Sequence, residues 1–374
     1  MAAAKAADDK LSGTPRAPPG FTDHTFRSSK GTDLGVRVWP AEAPVDGPAP
    51  FVLWTHGGGW FGGVHFAPLP WMIPGFRRLG YHFVSHNYRL APQVNLEDQL
   101  SDCLEAVSWC RANLGSVLGA DKVDVDRYVL CGESAGGNLV TLMGAHLAAS
   151  DAPPRAIVDV YGVVDFLSLP AFGPPAQRPT KICKDQYTGK VSDEVLAKLL
   201  RDRDPANVLT DAMPWDEHEH LTEEQLSSCW ATEYRYTERA LLQSALHQRY
   251  SLRRSEEGLR TGIMHGERFA SEDELLAFAG SMSPLRILQQ RQKQGTGPIR
   301  FPPTAFIHGT ADIDVPVEQS YAMARLLKES GVPVIECYEE GEPHVFDKKY
   351  TGPEVPGWDT YIQPALDFVK KHTG

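Results

Sequence analysis

The pentapeptide Gly132-Glu133-Ser134-Ala135-Gly136 sets a serine among small residues. A strand-like run, Tyr128-Val129-Leu130-Cys131, enters it, and a helical segment leaves it from Ala135 to about residue 149. A serine on so tight a strand-to-helix turn sits on strained backbone, and the turn presents its hydroxyl at the end of a sheet. That hydroxyl is a poor nucleophile near neutral pH and needs a base within hydrogen-bond reach. Two later loops supply candidates. His308-Gly309-Thr310-Ala311-Asp312 follows the apolar run Phe301 to Ile307, and Gly341-Glu342-Pro343-His344 follows Val332 to Tyr338. Singly, Asp312 reads equally well as a turn-capping aspartate and His344 as a surface-loop histidine. Arriving in the order serine, acid, histidine, each behind a strand, they predict Ser134 as nucleophile, His344 as general base and Asp312 as the group that orients it. Asp314 is the rival acid, two residues on.

Acyl transfer from such a serine passes through a tetrahedral oxyanion, which needs hydrogen-bond donors aimed at it. His56-Gly57-Gly58-Gly59-Trp60 follows the apolar run Phe51 to Thr55. Consecutive glycines let main-chain N–H groups approach an oxygen without obstruction by side chains. The amides of Gly58 and Gly59, joined by that of Ala135, are therefore the expected oxyanion donors. Trp60, Phe61 and Trp71, with Phe66, lie just beyond and are expected either to line a substrate pocket or to pack beneath an insertion. Other groups invite sharper readings than they support. His218-Glu219-His220 lacks the spacing of a zinc motif, so no metal is expected there. Arg249, Arg253 and Arg254 are interspersed with Glu256 and Glu257, which favours a charged helix surface over an anion site. Glu133 is expected to support the serine turn.

The elements that must position these groups are legible from periodicity. His24 to Ser29 and Leu34 to Trp39 read as a hairpin, with Leu34, Val36 and Val38 alternating. Buried strands are predicted at 51–55, 81–86, 128–131, 156–161, 301–307 and 332–338. Leu96, Leu100, Leu104, Val107 and Leu114 recur at helical spacing, and further helices are expected near 317–329 and from 359. Strands alternating with helices imply an α/β fold with a mostly parallel sheet flanked by helices. The alternation breaks once, from Asp165 to about Ser281, where more than a hundred residues carry only short helical patterns around Leu196–Leu200, Leu221–Leu226 and Leu241–Leu246. A segment that long is better read as a cap than as a loop. The expected organisation is a flexible arm over 1–22, a core over 23–165 and 283–374, and a mainly helical cap insertion over 166–282.

Four segments together, His56 to Trp60, Tyr88-Arg89-Leu90-Ala91-Pro92, Gly132 to Asn138 and His308 to Asp312, resemble the hormone-sensitive-lipase-like carboxylesterases of the α/β-hydrolase fold. The resemblance covers roughly residues 50–165 and 283–372, and Ser283-Pro284-Leu285 resembles the segment that re-enters the core after the cap. It implies the triad Ser134, Asp312 and His344 and the oxyanion donors Gly58, Gly59 and Ala135. Glu133 stands where aspartate or threonine is commoner, the histidine loop reads Pro-His-Val-Phe, and the insertion is longer than usual. Members share chemistry far more than substrate.

Bulk properties narrow the partners. Thirty-seven Lys and Arg against forty-eight Asp and Glu give a formal charge of -11, which opposes binding to a nucleic-acid backbone. The chain has no apolar run of the roughly 18 residues that span a bilayer. Its six cysteines have no paired or zinc-like spacing, Cys103 and Cys110 fall on one helix, and no Asn-x-Ser/Thr acceptor occurs. A cytoplasmic, reducing location is expected. The expected function is a serine carboxylic-ester hydrolase acting on a small to medium apolar ester, with no cofactor and with room for a homo-oligomer. The alternatives are an amide hydrolase or lactonase with the same triad, a tailoring enzyme of specialised metabolism (deacetylation or elimination), and a non-catalytic ligand-binding member of the fold.

Overall fold

The computed structural model describes residues 18–175, 191–212, 238–250, 256–295 and 298–374. An eight-stranded sheet runs through it in the order β1-β2-β4-β3-β5-β6-β7-β8. The strands are β1 (Thr22–Arg27), β2 (Asp33–Trp39), β3 (Ala49–Thr55), β4 (His82–His86), β5 (Val123–Glu133), β6 (Ala156–Val160), β7 (Thr304–Gly309) and β8 (Val334–Glu339). Pairing is antiparallel from β1 to β2 and from β2 to β4, and parallel everywhere else. This is the α/β-hydrolase fold. Every residue of β3, β4, β6 and β7 is buried, as expected of strands covered on both faces.

Helices cover the two faces. Helix α1 (Met72–Arg78) and α9 (Gln363–Thr373) pack on one side, where Trp71, Phe76, Phe83, Val158, Ile307 and Leu366 share a core. Helices α2 (Leu96–Leu118), α3 (Ala135–Leu147), α7 (Pro284–Lys293) and α8 (Glu318–Glu329) pack on the other. Helix α2 starts at a capping box, in which the Asn95 side chain accepts from the Asp98 N–H and the Asp98 carboxylate accepts from the Asn95 N–H. The exchange satisfies two otherwise orphaned donors. Leu96, Leu100, Cys103, Val107, Cys110 and Leu114 turn to the core.

Element limits differ from the sequence expectation for local reasons. Strand β5 starts at Val123 because that residue pairs with Ala49 across a register shift in β3. Strand β6 stops at Val160 because Tyr161 adopts φ +44° and leaves the strand. The arm expected over 1–22 is attached from Pro18 onward: the Trp39 indole donates to the Pro18 carbonyl, and Phe21 packs between Trp39 and Arg37.

Between 166 and 282 the described residues form α4 (Asp193–Leu200), α5 (Glu238–Tyr250), a π-helical turn (Gly258–Ile263) and α6 (Glu272–Ser281). Leu221–Leu226 and His218–His220 lie outside the described residues. This segment docks on loops at the carboxyl end of the sheet. Gly63 and Ala212 exchange two main-chain hydrogen bonds, the Leu90 N–H donates to the Leu209 carbonyl, and Gln243 Nε2 donates to the carbonyls of Phe61 at 2.7 Å and Ala91 at 2.5 Å. Arg249 is no surface charge: its buried guanidinium pairs with Asp193 at 2.9 Å. Arg253 and Arg254 lie outside the described residues.

Within the Tyr88 to Pro92 phrase, Arg89 is held by ion pairs to Asp102 and, less closely, to Asp98. The fully buried Asp102 carboxylate on α2 accepts from the Arg89 N–H and from its guanidinium, at 2.8–3.1 Å. Removing one member of a buried pair strands the other charge, so Asp102→Ala should cost about 3–5 kcal/mol in urea denaturation.

Candidate active site

Strand β5 ends at Glu133 and α3 begins at Ala135, leaving Ser134 alone between them with φ +54° and ψ -117°. The turn fits because its neighbours lack side chains: a Cβ at Gly136 would lie 2.0 Å from the Thr55 carbonyl oxygen. Ser134 is 7% exposed. Its Oγ lies 3.0 Å from His344 Nε2, and His344 Nδ1 lies 2.6 Å from Asp312 Oδ2. His344 reaches this position from the loop after β8, and Asp312 from the loop after β7. The parallel sheet thus delivers all three to one edge. Asp312, rather than Asp314, carries the carboxylate bonded to the imidazole.

Asp312 is held firmly. Its Oδ1 accepts from the N–H groups of Asp314 and Val315 at 2.8 and 2.9 Å, and His308 Nε2 lies 3.2 Å from Oδ2. Burial alone would raise its pKa, but hydrogen bonds from His308 and His344 prevail and hold it well below the usual carboxylate range. It stays ionised wherever the imidazole works.

The glycine loop lies against the serine turn. A Cβ at Gly57 would meet the Glu133 carbonyl oxygen at 2.9 Å and Ser134 Cβ at 3.2 Å. Gly58 and Gly59 have φ +106° and +57°, and the Gly58 carbonyl accepts from the N–H groups of Phe61 and Gly62. This curl follows directly on Gly57, which packs against the serine turn. His56 stacks on Tyr88 with ring centroids 4.2 Å apart, and its Nδ1 lies 2.8 Å from the Gly57 carbonyl. Burial lowers its pKa to about 4, so it remains neutral and serves the loop.

Glu133 does more than support the elbow. Its two carboxyl oxygens accept from the Trp54 indole at 2.6 Å and the Gly57 N–H at 2.7 Å, tying the serine turn to the glycine loop. Burial raises its pKa to about 8 despite those bonds. Two further buried acids lie nearby. Asp159 on β6 accepts from the Gly162 N–H at 2.8 Å, and burial raises its pKa to about 7. Asp347, three residues after His344, accepts from Trp71 and Tyr161. Sequence reasoning missed Tyr161, Asp159 and Asp347, whose only signal was their place at strand and loop ends.

The three expected pocket aromatics separate. Trp60, at φ +65°, packs against Phe166 with centroids 5.3 Å apart, and Phe61 lies against Gly262 of the insertion. Trp71 is on the opposite face of the sheet, fully buried beside Phe76, with its indole N–H on Asp347. Its burial goes to the core beneath the site rather than to a pocket wall.

With this geometry in view, the relatives agree. The family model described as alpha/beta hydrolase fold matches residues 52–222. A non-reducing polyketide synthase of Preussia isomera is 29% identical over 341 residues, covering 86% of this chain and 13% of its own length. An ethyl acetate hydrolase of Pseudomonas putida is 31% identical over 162 residues, covering 41% of this chain and 48% of its own. The hyperthermophilic esterase of the archaeon Pyrobaculum calidifontis superposes with a TM-score of 0.53 at 20% identity, over 100% of this chain and 89% of that one. The chain spans 6–15% of the length of the polyketide synthases it matches. The chain thus has the α/β-hydrolase fold and resembles that family over residues 52–222. The proteins it is similar to include carboxylesterases and other esterases.

The buried acids make stability depend on pH in a defined sense. Asp159 has an ordinary value of 3.8 and a folded value of about 7. Between these, the folded chain keeps a proton that the unfolded chain has released, so stability falls as pH rises. The contribution is fully present below the ordinary value and lost as pH passes the folded one. Glu133 acts in the same direction, from 4.5 to about 8. Asp159→Asn, isosteric with the neutral acid, should flatten the fall in Tm between about pH 4 and 7. An unchanged slope in thermal scans would assign the dependence to other groups.

Proposed function

We propose that the chain is a serine carboxylic-ester hydrolase acting on small to medium apolar esters through an acyl-enzyme. The observation that carries this reading is the hydrogen-bonded run from Ser134 Oγ through His344 to Asp312 Oδ2, at 3.0 and 2.6 Å. The Ser134 hydroxyl donates to His344 Nε2, whose Nδ1–H donates to Asp312. On attack at the ester carbonyl, His344 takes the serine proton, and Asp312 stabilises the resulting imidazolium. The oxyanion faces the amides of Gly58, Gly59 and Ala135. His344 returns the proton to the departing alcohol, and water then repeats the sequence on the acyl-enzyme. These steps call on no metal or organic cofactor.

The insertion over 166–282 acts as the cap, closing on the glycine loop through Ala212 and Gln243, and Trp60 and Phe61 sit at its junction with the core. The substrate is a small molecule rather than a nucleic acid, in keeping with the charge of -11. No helix among the described residues is long and apolar enough to cross a membrane. The four cysteines among the described residues, Cys103, Cys110, Cys131 and Cys337, are buried and free, which supports a reducing, cytoplasmic setting.

The polyketide synthase relatives favour a second reading of the same site, in which the ester is polyketide-derived and the step is a tailoring one. Three of these synthases align over 86–92% of this chain, against 41% for the ethyl acetate hydrolase. A panel of p-nitrophenyl esters, lactones, anilides and aryl-polyketide esters separates the two. Preference for short acyl chains supports the simple esterase. Turnover confined to the aryl-polyketide esters supports the tailoring step, and none at all points to a binding protein.

Ser134→Ala and His344→Ala should each lower kcat by more than about 10³-fold, since the groups act as a unit. Asp312→Asn should lose roughly 10²–10⁴-fold through the wrong imidazole tautomer. Asp314→Asn should stay near wild type, and the opposite order would reassign the acid. A fluorophosphonate probe should label Ser134 alone, read by peptide mass spectrometry.

A further inference from the structure

The hydrogen-bonded run from Ser134 to Asp312 uses the two nitrogens at the edge of the imidazole and leaves unexplained what stands against its face. Tyr161 does. Its ring centroid lies 4.6 Å from that of His344, at an interplanar angle of 60°. Tyr161 reaches this place through a positive φ of +44° at the end of β6, with its N–H on the Ile307 carbonyl. A tyrosine in left-handed backbone is strained, and such strain persists only where the surroundings enforce it. Here the enforcing contact is a second buried carboxylate. Asp347 is fully buried, and its Oδ1 accepts from the Tyr161 hydroxyl at 2.8 Å. Its Oδ2 accepts from the Trp71 indole, also at 2.8 Å. Trp71 can only donate, and burial keeps the Tyr161 phenol protonated, so both carboxyl oxygens of Asp347 serve as acceptors.

We propose that Asp347, acting through Tyr161, is a positioning residue for His344, a second carboxylate that seats the imidazole and favours its protonated form during turnover. The inference rests on the reading of His344 as the general base. Its logic is geometric. Asp312 fixes Nδ1 but leaves the ring free to swing about that bond, and the swing must be limited while Nε2 passes a proton from Ser134 to the leaving group. A flat aromatic against the ring limits it. Asp347 anchors that aromatic and, because it sits on the turn that follows His344 (Phe346–Lys349), also anchors the histidine loop to Trp71 under the sheet. The titratable groups that face Asp347 are His344 on its own loop, Tyr161 on the β6 end, and Glu133 and Cys131 on β5. Burial raises the pKa of Asp347, and the nearby imidazole opposes that rise. The attraction is mutual, so the carboxylate favours the imidazolium in return.

The test compares purified wild-type chain with Asp347→Asn, Tyr161→Phe and the double variant, all checked for native circular dichroism and Tm. Kinetics on a p-nitrophenyl ester are followed across pH, with Ser134→Ala as control. Asn keeps the shape and one acceptor but removes the charge, and Phe keeps the ring on the imidazole but cuts the anchor. The expected result for Asp347→Asn is a kcat loss of about 10–100-fold with KM within roughly twofold, since a 1 Å misplacement alone can cost about 10²-fold. The acid limb of kcat/KM should move about 0.5–1 unit to lower pH as imidazolium loses a stabilising charge. Tyr161→Phe should show the same signs with smaller size, and the double variant should be no worse than Asp347→Asn, because the two act in series. A folded Asp347→Asn with wild-type kcat and an unmoved acid limb overturns the proposal. So does a fall in kcat with an unmoved limb, which would leave Asp347 a packing role only. Wild-type chain that turns over no ester and takes no fluorophosphonate at Ser134 would instead sink the hydrolase reading, a different result from either.

Discussion

A backbone conformation that side-chain-bearing residues seldom adopt sits at the centre of this protein. Ser134 is held at φ +54° between the last residue of β5 and the first turn of α3, and the tight packing nearby serves that turn. Helix α3 is pressed onto the end of β3 so closely that position 136 admits no Cβ. The strain has a chemical return. A hydroxyl at a helix N-terminus, clear of its own backbone, can face an imidazole on one side and main-chain amides on the other. Neither approach would be open from the interior of a strand or a helix.

The glycine loop depends on the same turn and on two other parts of the chain. Glu133 bonds to the Gly57 N–H, so the residue beside the nucleophile also fixes the entry to the loop that faces it. On the far side, Ala212 pairs with Gly63, while Gln243 holds the Phe61 carbonyl. The loop is therefore clamped between the catalytic turn and the insertion. Oxyanion donors are worth most when they need no reorganisation as charge develops, and a loop tied at both ends meets that condition. The insertion thereby contributes to the rigidity of the glycine loop.

Four carboxyl groups lie close beneath Ser134 and His344, and their environments set them apart. Asp312 collects two main-chain donors and two imidazoles, which outweigh burial and keep it ionised. Glu133 and Asp159 collect fewer donors in fuller burial and are pushed toward neutrality. Asp347 falls between, with two donors and an imidazole nearby. Asp312 is both less deeply buried and better supplied with charged partners, and together these keep it an anion.

Much of this was legible in the residues. Short continuous apolar runs marked the central strands because the sheet is buried on both faces, and the apolar spacing of Leu96 to Leu114 marked α2. The serine turn, the glycine loop and the ordered acid and histidine were legible because each needs a local backbone conformation that only certain residue types permit. Sequence alone thus determined the fold class and the identity of the groups that meet. It favoured Asp312 but kept Asp314 as a rival, since both lie on one loop and only the position of the imidazole separates them. Nor could it show that Trp71 faces away from the site, that Arg249 is buried against Asp193, or that Tyr161 and Asp347 stand behind His344. Those facts depend on which side of the sheet a loop crosses and on contacts between residues far apart in the chain. Such contacts form only when the sheet has closed, so tertiary structure alone decides them.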